Sequence, residues 1–141
     1  MPFTTNFSKE VLELIFENSN IPNLGDSTGV RGSSDAGSFE LALIKSGGAE
    51  ADYTGYQRLL LTRTSNVWST SGATLSNALE ITFPPCVGNA QTIIGFKILY
   101  GAVGTTPYST ELGSGTLNNT VPISAGETPR FEALALTITL S

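Results

Sequence analysis

The sequence predicts an all-β protein: an antiparallel β-sandwich of the jelly-roll type, with a short N-terminal helix. Apolar and polar residues alternate in the last segment, which places Leu134, Leu136, Ile138 and Leu140 on one face of a strand. Similar short segments recur through the second half of the chain, separated by Gly, Pro, Ser, Thr and Asn turns. A chain of 141 residues is long enough to form one sizeable core.

The N-terminal segment has a helical pattern instead. We predict a helix over Lys9–Glu17, with Ser8 as its N-cap and an end at Asn18-Ser19-Asn20. One face of this helix is predicted to be apolar and the opposite face acidic. The apolar stripe consists of Phe7, Val11, Leu14 and Ile15 and is widened by Leu12 and Phe16. The acidic face consists of Glu10, Glu13 and Glu17. Such a helix packs either on its own sandwich or on a neighbouring subunit.

Residues 21–37 are rich in Gly, Ser, Asp and Asn, which predicts a long loop with little regular structure. In an assembly protein this loop can wrap a partner. We therefore divide the chain into an N-terminal helix with an extended arm, residues 1–37, and a β-sandwich domain, residues 38–141.

The sandwich segment contains seven or eight predicted strands. The strand from Thr92 is the most apolar and is expected at the centre of a sheet. Gly113-Ser114-Gly115 is predicted to be a turn, and Pro84-Pro85 to end strand pairing. The predicted strands are Phe39–Ile44, Tyr56–Thr64 with Val67–Ser69 continuing it or starting another, Thr74–Asn77, Leu79–Phe83, Thr92–Tyr100, Tyr108–Leu112, Thr116–Ile123 and a last strand from Arg130.

The composition disfavours several kinds of catalytic site. No histidine is present, which excludes Ser-His and Cys-His nucleophile pairs and imidazole metal sites. The lone Cys86 cannot form an internal disulfide or a zinc site, and we interpret it as a buried structural thiol. Loop carboxylates that could touch calcium lack EF-hand spacing; they are Asp26, Asp35, Glu50 and Asp52. We predict no enzyme activity and name no catalytic, cofactor-binding or metal residue.

Charge also limits the expected partners. Charged residues make up 13% of the chain and the net charge is −5, with the basic residues scattered, so we expect no nucleic-acid binding. We expect no membrane association, since no apolar run is long enough to span a bilayer. The N-terminus lacks the pattern of a signal peptide, which favours synthesis in a cytoplasm. Aromatic residues either line a sugar-binding face or fill the core; they are Tyr53, Tyr56, Trp68, Tyr100 and Tyr108.

Several segments occur in a characteristic order. They are Tyr53-Thr54-Gly55-Tyr56-Gln57-Arg58, the arginine and tryptophan stretch Arg63–Trp68, Ser76–Pro84 with Cys86 just after it, the strand Thr92–Tyr100, Pro129-Arg130-Phe131 and the last strand. This order resembles a family of small tailed-phage virion structural proteins, over residues 38–141. The chain departs from the family pattern at Lys97 and Leu99, where small and acidic residues are expected.

The resemblance implies a capsid decoration (cement) protein or a tail-fibre-like protein, with no catalytic residues. Our main expectation is a decoration protein on the outer surface of a phage head, made in the bacterial host cytoplasm. It would bridge major capsid protein subunits and self-associate as a dimer or trimer. The alternative is a tail-fibre or baseplate module that binds a receptor or glycan. A third class, a hydrolase, requires two carboxylates that converge in a pocket.

Overall fold

A computed structural model describes residues 3–30 and 32–140, and it has the predicted all-β antiparallel architecture with one short helix. Every strand pair whose register is defined runs antiparallel. Within the described residues the elements are α1 (Thr5–Glu17), β1 (Ser38–Lys45), β2 (Leu59–Thr62), β3 (Trp68–Ser71), β4 (Thr74–Asn77), β5 (Ile81–Thr82), β6 (Gln91–Tyr100), β7 (Thr110–Ile123), β8 (Arg130–Phe131) and β9 (Thr137–Thr139).

The chain folds into two compact units, each built from separated segments. Unit 1 consists of Met1–Gly37, Thr62–Leu79 and Glu132–Ser141, and unit 2 of Ser38–Leu61 and Glu80–Phe131. The division into an arm (1–37) and a sandwich (38–141) stays a prediction.

Unit 2 contains most of a four-stranded sheet of order β2-β1-β6-β7 and the two-stranded pair β5-β8. The most apolar strand, β6, lies between β1 and β7, as predicted from its composition. Leu41 and Leu43 of β1 pair with Ile98 and Phe96 of β6, and all four side chains are buried. Burial of these apolar side chains is the main stabilising contribution of the sheet.

Unit 1 contains α1 and a three-stranded sheet of order β3-β4-β9. The helix begins one turn earlier than predicted: Thr4, not Ser8, is the N-cap, and its side chain accepts a hydrogen bond from the Phe7 N–H. Ser8 instead lies within the first turns of the helix, and it is buried. The Phe3 and Phe7 rings pack edge to face at 5.2 Å, which stabilises the additional turn.

The helix ends where the sequence predicts, at Asn18, which adopts a left-handed conformation with φ 58°.

The buried stripe of the helix runs through Ser8, Leu12 and Phe16 rather than through Val11, Leu14 and Ile15, which are half-buried. The Phe16 ring contacts Trp68 of β3 at 5.1 Å.

The described residues of the loop between α1 and β1, 18–30 and 32–37, contain no helix or extended strand, as predicted, but they are fastened to the rest of unit 1. Ile21 and Val30 form an isolated antiparallel bridge, and Ile21 is buried. The Asn18 side chain accepts a hydrogen bond from the Ser33 N–H and donates one to the Ser33 carbonyl oxygen. These bonds close the loop onto the helix end.

The predicted continuous last strand is wrong. The chain pairs with β5 at Arg130–Phe131 and with β4 at Thr137–Thr139, but between them it turns at residues 133–134 and bends at residue 136. Leu134 has φ 67°, which breaks the alternation of a strand. The buried Asn77 side chain replaces ladder bonds here: it donates to the Glu132 carbonyl oxygen and accepts from the Leu136 N–H.

Two further predictions are corrected. The segment Tyr56–Thr64 is a strand only over Leu59–Thr62, because Tyr56 and Arg58 turn their side chains to other partners within unit 2. Gly113-Ser114-Gly115 is not a turn but lies inside β7, which joins the two strands predicted at Tyr108–Leu112 and Thr116–Ile123.

Candidate assembly interface

The edge of β7 is the most exposed regular element of unit 2. β7 is a strand of 14 residues that pairs with β6 and ends the order of its sheet. Every residue from Thr110 to Pro122 is exposed or half-exposed. Glu111 is the one charged residue, so Leu112 to Ile123 is uncharged. An edge strand presents unpaired N–H and C=O groups along its outer side, which suits pairing with another chain.

Two β-bulges limit where this edge can pair. Leu112 is skipped between the pairs Ile98–Gly113 and Leu99–Glu111. Four residues, Leu117–Thr120, stand opposite the single residue Ile94. Bulges and edge prolines such as Pro122 are devices that discourage indiscriminate sheet extension. The straight part of the edge is therefore Gly113–Thr116, flanked by a polar bulge that exposes Asn118, Asn119 and Thr120.

Gly115 of the straight part has no room for a side chain, because the Phe96 ring occupies that space. A Cβ on Gly115 would lie 2.6 Å from Cζ of Phe96, well inside van der Waals contact. A Cβ on Gly113 would meet nothing within 4 Å. The Phe96 ring thus covers Gly115, as aromatic residues do for glycines in designed sheets.

A half-buried ion network, of which only Glu40 is fully buried, supports the opposite face of the same sheet. Arg58 binds Glu50 through two hydrogen bonds, Nε to Oε1 at 2.7 Å and Nη2 to Oε2 at 2.8 Å. Its Nη1 donates to Glu40 Oε2 of β1 at 2.8 Å and to the Tyr108 carbonyl oxygen at 2.7 Å. Lys97 of β6, the cross-strand partner of Ser114, lies 3.8 Å from Glu50. The bidentate geometry of the Arg58–Glu50 pair is that of the strongest kind of side-chain ion pair.

The network shifts the pKa values of its members. Hydrogen bonds from Arg58 hold the pKa of Glu50 below its usual value, and those from Glu50 raise the pKa of Arg58. Burial raises the pKa of the Tyr56 hydroxyl, which accepts from the Leu43 N–H and donates to Glu50. Burial also raises the pKa of Tyr53, to about 12. Glu50 and Arg58 are therefore charged, and both tyrosines neutral, at neutral pH.

The Tyr-x-Gly-Tyr-x-Arg segment supplies this network, so the sequence did contain a signal for it. Gly55 has φ 98°, and a Cβ there would lie 2.7 Å from the Pro85 carbonyl oxygen. The glycine lets the loop approach the Pro85 backbone closely, and the next residues of the loop, Tyr56 and Arg58, both bind Glu50. Glu50, eight residues before Arg58, was considered in the sequence only as a loop carboxylate that could touch calcium, and nothing in the sequence connected Glu40 with Arg58.

The other singled-out residues do not form a common site. Tyr53, Tyr108 and Trp68 are buried in the cores of their units, Tyr56 is half-buried and Tyr100 is exposed, so the five aromatics do not line one face. Cys86 is fully buried, as predicted. Asp26 accepts from the Thr28 N–H within its own turn, whereas Asp52 contacts Lys45.

The carboxylates that do converge, Glu40 and Glu50, both bind Arg58. No group of three metal-binding side chains occurs in residues 3–30 and 32–140. A shallow cleft of about 210 Å³ lies where β6 begins and β7 ends, lined by Gln91, Thr92, Pro122, Ile123 and their neighbours Ala90 and Ser124. No helix of the described part of the chain is long and apolar enough to cross a membrane.

Comparison with known proteins agrees with an assembly role. The family model described as "Podophage GP4 fiber I protein gp80" matches residues 37–139. This range contains all nine strands and the whole ion network. No curated protein matches the chain.

Proposed function

Because this chain belongs to the Podophage GP4 fiber I protein gp80 family, and is thus a structural protein of a phage virion, we propose that it is a subunit of a phage tail fibre. We propose further that it assembles through the edge of β7. The match over residues 37–139 carries the tail-fibre proposal, and the exposed, uncharged edge of β7 supports the proposed route of assembly.

The chemistry of β7 supports assembly. Leu112 to Ile123 is uncharged, so a second chain can cover it without desolvating a full charge. Backbone groups of Gly113–Thr116 would provide affinity, and the exposed side chains of the Leu117–Thr120 bulge would provide specificity. The ion network of Arg58 holds β1 and the loop around Glu50 together, which keeps the sheet behind this edge rigid.

The family description names a fiber, which favours the tail-fibre alternative over our main sequence-based expectation of a capsid decoration protein. The two functions share one physical principle: a subunit that binds only the assembled particle stabilises it by mass action. They differ in location and in partner, a tail component in one case and the major capsid protein in the other.

Electron cryo-microscopy of the virion distinguishes the two. We expect density for this chain at the tail. Ordered copies on the icosahedral head, with none at the tail, would overturn the tail-fibre proposal and restore capsid decoration.

A substitution in β7 tests the interface itself. Thr116 is exposed in the straight part of the edge, and an edge lysine is a natural block to strand addition. We expect Thr116→Lys to lower the copy number per virion at least about tenfold, as expected from a loss of about 1.4 kcal/mol per contact. The matched control is Thr139→Lys, an exposed threonine of the short strand β9. Equal incorporation of both variants would exclude the β7 edge.

A further inference from the structure

Leu134 combines two unfavourable features. Its φ of 67° lies in the left-handed region, which residues with a Cβ adopt at a cost in free energy. The residue is 60% exposed, so its side chain gains little from burial in this chain. Glycine or asparagine would be more favourable here. Backbone strain that is retained at an exposed position is typical of functional sites.

The residues around Leu134 are also exposed and apolar. Ala133, Leu134 and Ala135 form an exposed run, and Leu79 of the same unit is 60% exposed. We call these four residues the leucine patch. A run of three exposed apolar residues is unfavourable in water, and exposed apolar patches often mark interaction sites.

Asn77 fixes the backbone of both segments. Its side-chain amide, which is fully buried, donates to the carbonyl oxygens of Leu79 at 2.7 Å and Glu132 at 2.8 Å. The backbone carbonyl oxygen of Asn77 accepts a hydrogen bond from the Leu134 N–H at 2.8 Å. The patch is therefore held in place before any partner binds, which lowers the entropic cost of association.

We infer that the leucine patch docks into an apolar pocket of a different protein of the virion, one whose rim carries lysine or arginine. This inference rests on the proposed role as a virion subunit. It concerns a contact separate from the edge of β7.

Charge favours a different protein over a second copy. Glu132 is exposed and adjoins the patch, and the chain has a net charge of −5. Two copies joined through their patches would bring like charges together, whereas a basic rim would be attracted to Glu132.

The test separates strain from binding by substituting Leu134→Asn. Asparagine tolerates the left-handed conformation, so we expect the thermal midpoint of the purified chain to stay the same or rise. In phage that lack the gene and are complemented with the variant, we expect at least about tenfold fewer copies per virion by quantitative mass spectrometry. Leu24→Asn is the matched control, since Leu24 is an exposed loop leucine outside the patch. Leu79→Asn provides a second variant if Leu134→Asn fails to fold.

The outcomes distinguish the inference from the proposed function. Absence of the wild-type chain from virions would overturn both. A wild-type chain at the tail together with undiminished Leu134→Asn and Leu79→Asn would overturn the leucine patch alone. A photo-crosslinking residue in place of Ala133 is expected to crosslink another virion protein. Crosslinking to a second copy of this chain would also overturn the inference.

Discussion

Arg63 and Ile15 are joined by a hydrogen bond of 2.6 Å, from the guanidinium Nε to the backbone carbonyl oxygen. The same side chain donates to the carbonyl oxygens of Leu14 and Ala36, both at 2.9 Å. A helix leaves its last carbonyl groups without partners, and the planar fork of arginine satisfies two of them here. Arg63 thus fixes the end of α1 to the end of the following loop.

We expect Arg63→Met to lower the free energy of unfolding by about 1–3 kcal/mol, because half-buried carbonyl acceptors lose their donor. Arg63→Lys retains the charge but not the fork geometry and should restore less than half of the loss. Urea unfolding followed by circular dichroism measures both. A change below about 0.5 kcal/mol in Arg63→Met would show that the helix end does not depend on this side chain.

The Asn77 amide is the second polar contact that unit 1 requires. We expect Asn77→Ala to cost about 3 kcal/mol, since the Leu136 N–H and two carbonyl oxygens lose a buried partner. Asn118→Ala, at an exposed position of the β7 bulge, is the control and should change stability by less than about 0.5 kcal/mol. Equal effects of the two substitutions would contradict a special role for Asn77.

Gly115 and Gly113 provide a matched pair in one strand. We expect Gly115→Ala to lower the free energy of unfolding by about 1–3 kcal/mol, because its Cβ would overlap the Phe96 ring. Gly113→Ala has open space and should be neutral, or stabilising by up to about 1 kcal/mol. Combining Gly115→Ala with Phe96→Leu tests the cause, since removal of the ring should recover part of the loss. Purely additive effects would exclude the steric explanation.

Acid stability depends on Glu50. Arg58 lowers the pKa of this carboxyl in the folded protein below its usual value of 4.5, so the ionised form stabilises the fold. That contribution is present above pH 4.5 and is lost as pH falls through the lowered pKa. We expect the urea concentration at the unfolding midpoint of the wild-type chain to decrease as the pH is lowered below 4.5. Glu50→Gln should be less stable at neutral pH, but its midpoint should depend less on pH in this acid range. Parallel pH profiles of the two proteins would contradict this origin of acid sensitivity.

Local patterns predicted the elements that depend on neighbouring residues. The apolar composition of β6 placed it in the centre of its sheet, and Asn18 marked the end of α1. The fold class was predicted correctly because alternation and turn residues extend over most of the chain. The start of α1 was not, since both Thr4 and Ser8 are acceptable caps and the Phe3–Phe7 contact favours the earlier one.

Features that depend on distant residues could not be predicted. Gly113-Ser114-Gly115 has the composition of a turn, and only the Phe96 ring across the sheet explains a strand there. The alternation from Arg130 onward predicts one strand, but Asn77, more than fifty residues earlier, redirects the backbone at Leu134. Tertiary contacts override local propensity in both cases. The candidate interface was missed for the same reason.

The segmented composition of the two units has a consequence for synthesis. All of unit 2 lies between Ser38 and Phe131, whereas unit 1 requires Glu132–Ser141 in addition to Met1–Gly37 and Thr62–Leu79. During translation every segment of unit 2 is synthesised before Glu132–Ser141, so α1 and the strands β3 and β4 of unit 1 wait for β9. The synthesis of Glu132–Ser141 thus decides when unit 1 is complete. A premature stop codon after Phe131 would leave a nascent chain with every segment of unit 2 and an unfinished unit 1.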